Sequence, residues 1–134
     1  MSKHIHLIGI CGTAMASLAG MLKQRGFDVR GSDNAVYLPM SDFLASLNIQ
    51  AVQPYAAQNL DPRPDLVIVG NAISRGNPEL ERVLNDRIPF QSMAQVLYEE
   101  FLRGREVISV AGKHGKTTTT SMLAWIFEAA DCPA

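Results

Sequence analysis

The segment that most constrains the fold of this chain is residues 109–120, Ser-Val-Ala-Gly-Lys-His-Gly-Lys-Thr-Thr-Thr-Thr. An apolar run at 107–111 leads into it, and apolar residues at helical spacing follow it, which predicts a strand, a glycine loop and a helix. A loop of this kind presents backbone N–H groups and a helix N-terminus to an anion. The segment therefore predicts a phosphate-binding loop in a parallel α/β fold.

Each residue type in this loop suits the binding of a triphosphate. Gly112 and Gly115 let the backbone approach the phosphates, Lys116 supplies a cation, and Thr117 supplies a hydroxyl for Mg²⁺. Only two residues separate the glycines, whereas the usual pattern has four, so the prediction depends on the flanking strand and helix. The alternative is an ordinary turn with a solvated lysine and a threonine cap. The predicted ATP-binding residues are Ala111, Gly112, Lys113, His114, Gly115, Lys116, Thr117 and Thr118.

Within this set we expect Lys116 to be catalytic and Thr117 to be the Mg²⁺ ligand. His114 is a candidate general base, but a histidine beside a phosphate loop is more often structural or an extra hydrogen-bond donor. We therefore assign His114 to binding.

Strand and helix patterns alternate along the rest of the chain. Predicted strands lie at 5–10, 27–33, 66–70 and 89–90, and predicted helices at 15–22, 43–47, 77–84 and 93–102. Such alternation is typical of an α/β fold, a Rossmann-like parallel sheet with helices on both faces. Because a helix stops near Gly104 and a new strand begins soon after, we expect one domain at 1–104 and the start of a second α/β domain at 105–134.

A second glycine turn, at 9–15, follows the first predicted strand and opens a helix, as in a Rossmann diphosphate site. It departs from the G-x-G-x-x-G pattern, because Cys11 and Ala14 stand where the second and third glycines belong. Asp33 lies 21 positions after Gly12, near the offset of an acid that binds ribose hydroxyls. The alternative is a turn that serves only strand–helix packing, with Ser32 and Asp33 as a cap or turn.

Two further observations concern residues beside the predicted strands. Asn71 follows the run at 66–70 at its carboxyl end, where open parallel sheets place ligands, so it is a candidate binding residue or else a turn asparagine. His4 and His6 share one strand face with no metal-ligand partner nearby. We expect both histidines to be structural.

Composition restricts the partners and the location. The formal net charge is −1, which gives no overall attraction to nucleic acid or to an anionic membrane. Cys11 and Cys132 lie far apart in the sequence, as in proteins of a reducing compartment. The first apolar stretch is too short for a signal peptide or a membrane span. We therefore expect a cytoplasmic protein with neither nucleic-acid nor membrane partners.

Four segments together resemble the Mur ligase family, which joins amino acids or peptides to UDP-muramoyl precursors with ATP. They are 6–15 (His-Leu-Ile-Gly-Ile-Cys-Gly-Thr-Ala-Met), 31–33 (Gly-Ser-Asp), 71–79 (Asn-Ala-Ile-Ser-Arg-Gly-Asn-Pro-Glu) and 111–119 (Ala-Gly-Lys-His-Gly-Lys-Thr-Thr-Thr), in the family's order. One departure is Lys113, where the family usually has threonine. Residues 9–13, 36–41 and 70–78 are more similar to the branch that attaches a tripeptide than to the branch that attaches L-alanine.

The resemblance implies a domain that binds UDP-N-acetylmuramate, a central domain that binds ATP and Mg²⁺, and a further domain for the peptide substrate. It implies that ATP converts the muramoyl carboxylate into an acyl phosphate, which the amino group of the peptide then attacks. The residues that it assigns to the UDP-sugar are Gly9, Cys11, Gly12, Thr13, Ala14, Met15, Ser32, Asp33, Asn71, Ala72 and Ile73.

Because the phosphate loop lies so near residue 134, we expect this chain to hold only part of such an enzyme and to be inactive by itself. Two other functions are consistent with parts of the sequence. Residues 1–103 alone suit a dinucleotide-binding oxidoreductase or redox sensor, although the phosphate loop has no role there. The whole chain also suits a free-standing nucleotide-binding regulator.

Overall fold

A computed structural model describes residues 2–132, which form two compact units, 2–103 and 104–132. The first unit contains strands β1 (His4–Ile8), β2 (Asp28–Ser32), β3 (Gln50–Val52), β4 (Leu66–Val69) and β5 (Phe90–Ser92). Its helices are α1 (Thr13–Gln24), α2 (Met40–Ser46), α3 (Pro78–Asn85) and α4 (Met93–Leu97), together with a 3₁₀ helix, Ala57–Leu60, and a π-helical turn, Tyr98–Leu102. No helix within residues 2–132 is long and apolar enough to cross a membrane.

The five strands form one parallel sheet in the order β3-β2-β1-β4-β5. Alternate residues of β1 contribute to two separate cores: Ile5 and Leu7 pack with α1, α2 and α4, whereas Ile8 packs with α3 and the 3₁₀ helix. Helices therefore cover both faces of the sheet. The predicted Rossmann-like α/β class is confirmed.

The ends of two helices follow their sequence signals. Gly26, with a left-handed φ of 90°, stops α1, and the amides of Gly26 and Phe27 donate to the carbonyls of Lys23 and Leu22, which is a Schellman motif. The Asn77 side chain caps α3 by accepting from the amides of Glu79 and Leu80, and Pro78 occupies the first helical position. The glycine and the Asn-Pro pair thus set where these helices end and begin.

Two elements of the first unit were not predicted, and a third differs in detail. Strand β3 and the 3₁₀ helix are only three and four residues long, and β3 is defined by its pairing with β2 rather than by an apolar pattern of its own. The helix predicted over 93–102 is present as α4 followed directly by the π-helical turn.

The second unit contains the glycine loop and helix α5 (Lys116–Ala129), close to its predicted start. The strand predicted at 107–111 is wrong for the described chain, because those residues pair with no other strand in 2–132. A strand requires a hydrogen-bonded neighbour, which an apolar run does not supply by itself. The apolar side chains of Met122, Trp125 and Ile126 on α5 are exposed.

Candidate functional site

The carboxyl ends of β1, β2 and β4 gather most of the predicted binding residues of the first unit. Ile8, the last residue of β1, pairs with Ser32 of β2 on one side and with Val69 of β4 on the other. The segments that leave these strands, at 9–12, 33–34 and 70–74, therefore emerge at one edge of the sheet. The chain reverses its direction of winding between β1 and β4, which is where open parallel sheets bind ligands.

The end of β2 holds the glycine turn by three consecutive amides. The N–H groups of Gly9 and Ile10 donate to the carbonyl oxygen of Ser32, at 2.8 and 3.0 Å. The N–H of Cys11 donates to Oδ2 of Asp33, at 2.9 Å. These amides are therefore occupied within the protein, so Gly9 and Cys11 shape the site rather than offer it free amide donors.

Two glycines make this close approach possible. Gly9 has a left-handed φ of 87°, which favours glycine. A Cβ on Gly31 would lie 2.5 Å from the carbonyl oxygen of Leu7 and 2.7 Å from Cδ1 of Ile10. The absence of a side chain at Gly31 is therefore what allows the turn to fold down against β2.

Cys11 occupies the position where the usual fingerprint has a glycine, but its side chain is buried in the core beside α1. The thiol consequently does not crowd the surface on which a diphosphate would lie. Burial, followed by the negative charge of Asp33, raises the pKa of the Cys11 thiol. Cys11 is therefore a packing residue with a protonated sulfur and not a nucleophile.

The first turn of α1 supplies the donors that the glycine turn lacks. Gly12 is the N-cap and has no side chain to cap the helix, and no acidic residue lies in the first turn. Within residues 2–132, the amides of Thr13, Ala14 and Met15 donate to no backbone or side-chain acceptor. Thr13 and Ala14 are exposed, whereas the Met15 side chain is buried. This helix start is therefore suited to an anion.

Asp33 is half-buried beside the turn. Besides the amide of Cys11, its carboxylate accepts the amide of Asn34, and Oη of Tyr55 donates to Oδ1 at 3.3 Å. Burial, together with the charge of Asp33 and this hydrogen bond, raises the pKa of Tyr55 to about 12. Tyr55 is therefore a neutral donor to Asp33. No sequence signal marks this role, because a lone tyrosine in a loop follows no pattern.

The segment after β4 forms the other side of the site. A Cβ on Gly70 would lie 2.9 Å from the carbonyl oxygen of Ile8, so the close backbone packing here also favours glycine. Asn71 and Ala72 are exposed at the start of the segment, and Ile73 is half-buried. Cδ1 of Ile73 lies 3.6 Å from where a Cβ of Gly9 would stand. These three predicted residues therefore border the glycine turn.

Ser32 is the predicted binding residue that the structure removes from the surface. It is fully buried, and its hydroxyl donates to the carboxylate of Glu79. Nε2 of His6, also fully buried, lies 3.2 Å from this hydroxyl and 3.1 Å from Oε2 of Glu79. The Ser32 side chain therefore lies beneath the site and is not exposed to a ligand. The environment of His6 is structural, as expected.

Glu79 is the charged residue whose importance the sequence did not reveal. At the second position of α3, an acid ordinarily indicates an exposed carboxylate near the helix N-terminus. Burial alone raises the pKa of the Glu79 carboxyl, but hydrogen bonds from His6, Ser32 and Asn59 outweigh burial and hold it below its usual range. Glu79 is therefore a buried carboxylate in a dense set of donors.

The glycine loop of the second unit has a comparable helix start. Gly115, with a left-handed φ of 77°, is the N-cap of α5 and offers no side-chain cap, and the first turn holds no acid. Nζ of Lys116 donates to the carbonyl oxygen of Gly112 at 2.7 Å, so the ammonium lies across the loop. The other predicted ATP-binding residues are exposed: Ala111, Lys113, His114, Thr117 and Thr118.

This loop fits a polyphosphate, because it combines a helix N-terminus that lacks a capping side chain, a left-handed glycine and a lysine held over the loop. The described residues offer fewer ligands to a metal ion than to a polyphosphate. Across the described part of the chain, no group of three or more His, Cys, Asp or Glu side chains could hold a metal. Thr117 would therefore bind Mg²⁺ only together with phosphate oxygens or other ligands.

The chain is similar to known proteins along most of its length. Residues 4–105 match the family model described as Mur ligase family, catalytic domain. A UDP-N-acetylmuramate–L-alanyl-γ-D-glutamyl-meso-2,6-diaminoheptandioate ligase of Haemophilus influenzae is 51% identical over 126 residues, which cover 94% of this chain and 28% of the relative. Its counterpart in Escherichia coli is 52% identical over 124 residues, covering 92% of this chain and 27% of the relative.

A UDP-N-acetylmuramate–L-alanine ligase of Xanthobacter autotrophicus is 40% identical over 125 residues, covering 93% of this chain and 26% of the relative. Among solved structures, a murein peptide ligase of Psychrobacter arcticus matches with a TM-score of 0.93 and 47% identity, covering 97% of this chain and 27% of that protein. The chain thus spans less than a third of the length of these proteins. Since the family model matches well over half of it, the chain belongs to the Mur ligase family.

Proposed function

We propose that this chain is the UDP-sugar-binding part, with the start of the ATP-binding domain, of a ligase that joins the tripeptide L-Ala-γ-D-Glu-meso-diaminopimelate to UDP-N-acetylmuramate. The observation that carries the proposal is the start of α1 at the carboxyl edge of the sheet, where the amides of Thr13, Ala14 and Met15 find no acceptor among the described residues. The names of the 51% and 52% identical relatives support the tripeptide.

In this proposal the UDP-sugar lies along the edge formed by β1, β2 and β4. The diphosphate accepts from the amides of Thr13 and Ala14 at the positive end of the α1 dipole. Asp33, whose carboxylate still has lone pairs to share, and Asn71 bind hydroxyl or amide groups of the ligand. Ile73 supplies an apolar wall beside Gly9. The domain that these residues form corresponds to 1–104.

Residues 105–134 are, in this proposal, the start of the domain that binds ATP and Mg²⁺. When bound, ATP supplies the phosphoryl group that activates the muramoyl carboxylate. The loop amides and Lys116 hold the phosphates and stabilise the charge on them, and the hydroxyl of Thr117 is one ligand of Mg²⁺. His114 and Lys113 add donors at the rim of the loop. The reaction takes place in the cytoplasm, where ATP is available.

A single-amino-acid acceptor is the alternative within the family. The relative that carries L-alanine in its name is 40% identical over nearly the same residues, against 51% and 52% for the two tripeptide ligases. This difference favours the tripeptide. A dinucleotide-binding oxidoreductase, the alternative from another class, gives no role to the loop at 111–118.

The test is the activity of the full-length protein, followed as ADP release with UDP-N-acetylmuramate, ATP and Mg²⁺. We expect ADP release to require the UDP-sugar and to proceed far faster with the tripeptide than with L-alanine. A preference for L-alanine would contradict the acceptor assignment. ADP release that does not depend on the UDP-sugar would contradict the proposed function.

A further inference from the structure

The carboxylate of Glu79 accepts four hydrogen bonds. Oε2 accepts from the hydroxyl of Ser32 and from Nε2 of His6, and Oε1 accepts from Nδ2 of Asn59 at 2.7 Å and from the amide of Ala56 at 3.2 Å. The donors come from β1, β2 and the segment that carries the 3₁₀ helix. One buried side chain thus joins three parts of the fold to α3.

Ser32, which belongs to this network, directly precedes Asp33, which belongs to the proposed ligand surface. The carbonyl of Ser32 accepts from the amides of Gly9 and Ile10, and the carboxylate of the next residue, Asp33, accepts from Cys11. A displacement of Ser32 would therefore move the whole glycine turn. Because the Ser32 hydroxyl donates to Glu79, Glu79 fixes the position of Ser32, and Ser32 in turn holds the glycine turn.

The hydrogen bonds of Oε1 of Glu79 also lead to Asp33, through the segment around Tyr55. Oε1 of Glu79 holds the amide of Ala56, the residue after Tyr55. Nδ2 of Asn59 also donates to the carbonyl of Pro54, so the segment around Tyr55 is anchored on both sides. Oη of Tyr55 in turn donates to Asp33. Glu79 therefore sets both partners of the Tyr55–Asp33 hydrogen bond.

The grouping of a serine, a histidine and a carboxylate here is not a nucleophilic site. Ser32, His6 and Glu79 are all fully buried, and the serine hydroxyl donates directly to the carboxylate rather than to the histidine. The Ser32 hydroxyl is therefore closed to a substrate in this structure. A buried carboxylate is costly to desolvate, and apolar packing at such places is often as stable, so the buried charge of Glu79 is weak evidence for a role in stability alone.

We propose that Glu79 is a positioning residue for the UDP-sugar, which holds the end of β2 and Tyr55 in register with the glycine turn. The inference rests on the proposed function of the first unit. It predicts that binding of the UDP-sugar depends on the negative charge of Glu79 as well as on the shape of its side chain. In Glu79→Gln the charge is lost and an amide NH₂ group replaces one carboxylate oxygen. Turned towards Asn59 and Ala56, the NH₂ group would meet two donors and lose both hydrogen bonds. Turned towards Ser32 and His6, it would require both of these groups to accept instead of donate.

The experiment compares Glu79→Gln with Val83→Ala in the full-length protein. Val83 is fully buried on the same helix and takes part in none of these hydrogen bonds, so its truncation lowers stability through a cavity alone. Two quantities are measured below the unfolding transition of both variants. They are amide hydrogen exchange in 9–11, relative to exchange in β4, and calorimetric affinity for UDP-N-acetylmuramate.

We expect Glu79→Gln to speed exchange in 9–11 relative to β4 about tenfold and to weaken UDP-sugar binding about tenfold. Val83→Ala should leave both quantities near wild type. Equal behaviour of the two variants in both measurements would overturn the inference and leave Glu79 a purely structural residue. If Glu79→Gln does not fold, Ser32→Ala replaces it, with the same expected direction and the same contradicting result.

The exchange measurement separates this inference from the proposed function. Faster exchange in 9–11 without any UDP-sugar binding by the wild type would contradict the function but support the coupling of Glu79 to the turn. Normal UDP-sugar binding by the wild type, with unchanged exchange and affinity in Glu79→Gln, would contradict only the role of Glu79.

Discussion

Oδ2 of Asp33 accepts the backbone N–H of Cys11 at a distance of 2.9 Å. This hydrogen bond ties the first residue after β2 to the turn after β1, so a candidate ligand-binding acid also fixes the shape of the candidate diphosphate site. Asp33 orders the glycine turn, and in the proposed function its remaining lone pairs bind the ligand. The consequences of removing it are correspondingly specific.

Asp33→Ala should weaken binding of UDP-N-acetylmuramate by tenfold or more, since a lost hydrogen bond to a charged group costs about 1.5 to 3 kcal/mol. Calorimetric titration measures the change. The matched control is Asp28→Ala, which removes an exposed carboxylate from the opposite end of the same strand. Equal affinities of the two variants would show that Asp33 neither orders the turn nor contacts the ligand.

The two cysteines should differ sharply in reactivity. Cys132 is exposed, whereas Cys11 is buried and its thiol pKa is raised by burial and by Asp33. Because the thiolate is the reactive form, we expect iodoacetamide to alkylate Cys11 at least about tenfold more slowly than Cys132 in the folded protein. Peptide mass spectrometry gives both rates. Comparable rates at neutral pH would contradict the buried position of Cys11.

Gly31→Ala should destabilise the first unit by about 3 kcal/mol, the upper end of the usual range for overpacking, because its Cβ would lie 2.5 Å from a backbone oxygen. Urea unfolding followed by circular dichroism measures this loss. Gly12→Ala is the control, since its Cβ would meet nothing closer than 3.6 Å. It should cost no more than about 1 kcal/mol, the difference between glycine and alanine as an N-cap. An unchanged midpoint for Gly31→Ala would contradict the close approach of the turn to β2.

Lys116→Ala in the full-length protein should reduce ATP turnover by at least about a hundredfold, since it removes the cation that we propose stabilises the transferred phosphoryl group. Binding of the UDP-sugar should remain within about twofold of wild type, because its proposed residues lie in the other unit. Lys23→Ala, which removes a lysine from the last turn of α1, serves as the control for loss of charge. Normal turnover by Lys116→Ala would exclude the glycine loop as the ATP site.

The sequence was most informative where a signal is local. The apolar runs of β1 and β4 lie at the centre of the sheet, Gly26 ends α1, and Asn77-Pro78 begins α3. The strand predicted at 107–111 was wrong because strand formation depends on a neighbour and not only on the run itself. Similarly, three-residue β3 has too little pattern to be recognised and exists through its pairing with β2.

Side-chain roles at the site were harder to predict for the same reason. Ser32 was expected at the ligand surface, but whether a residue at the end of β2 faces outward depends on Glu79, which is 47 positions away in the sequence. Tyr55 was missed because only the fold brings it to Asp33. The positions of Gly9, Gly12 and Asp33, in contrast, follow from spacing around a strand and a helix, and the structure brings them together.

Calorimetric titration of the protein with UDP-N-acetylmuramate and, separately, with NADH tests most directly whether residues 1–104 bind a UDP-sugar. We predict saturable binding of UDP-N-acetylmuramate with a stoichiometry of about one, as expected for a single site at the switch point of the sheet, and no binding of NADH. Binding of NADH without binding of UDP-N-acetylmuramate would contradict the ligase assignment and support a dinucleotide-binding module.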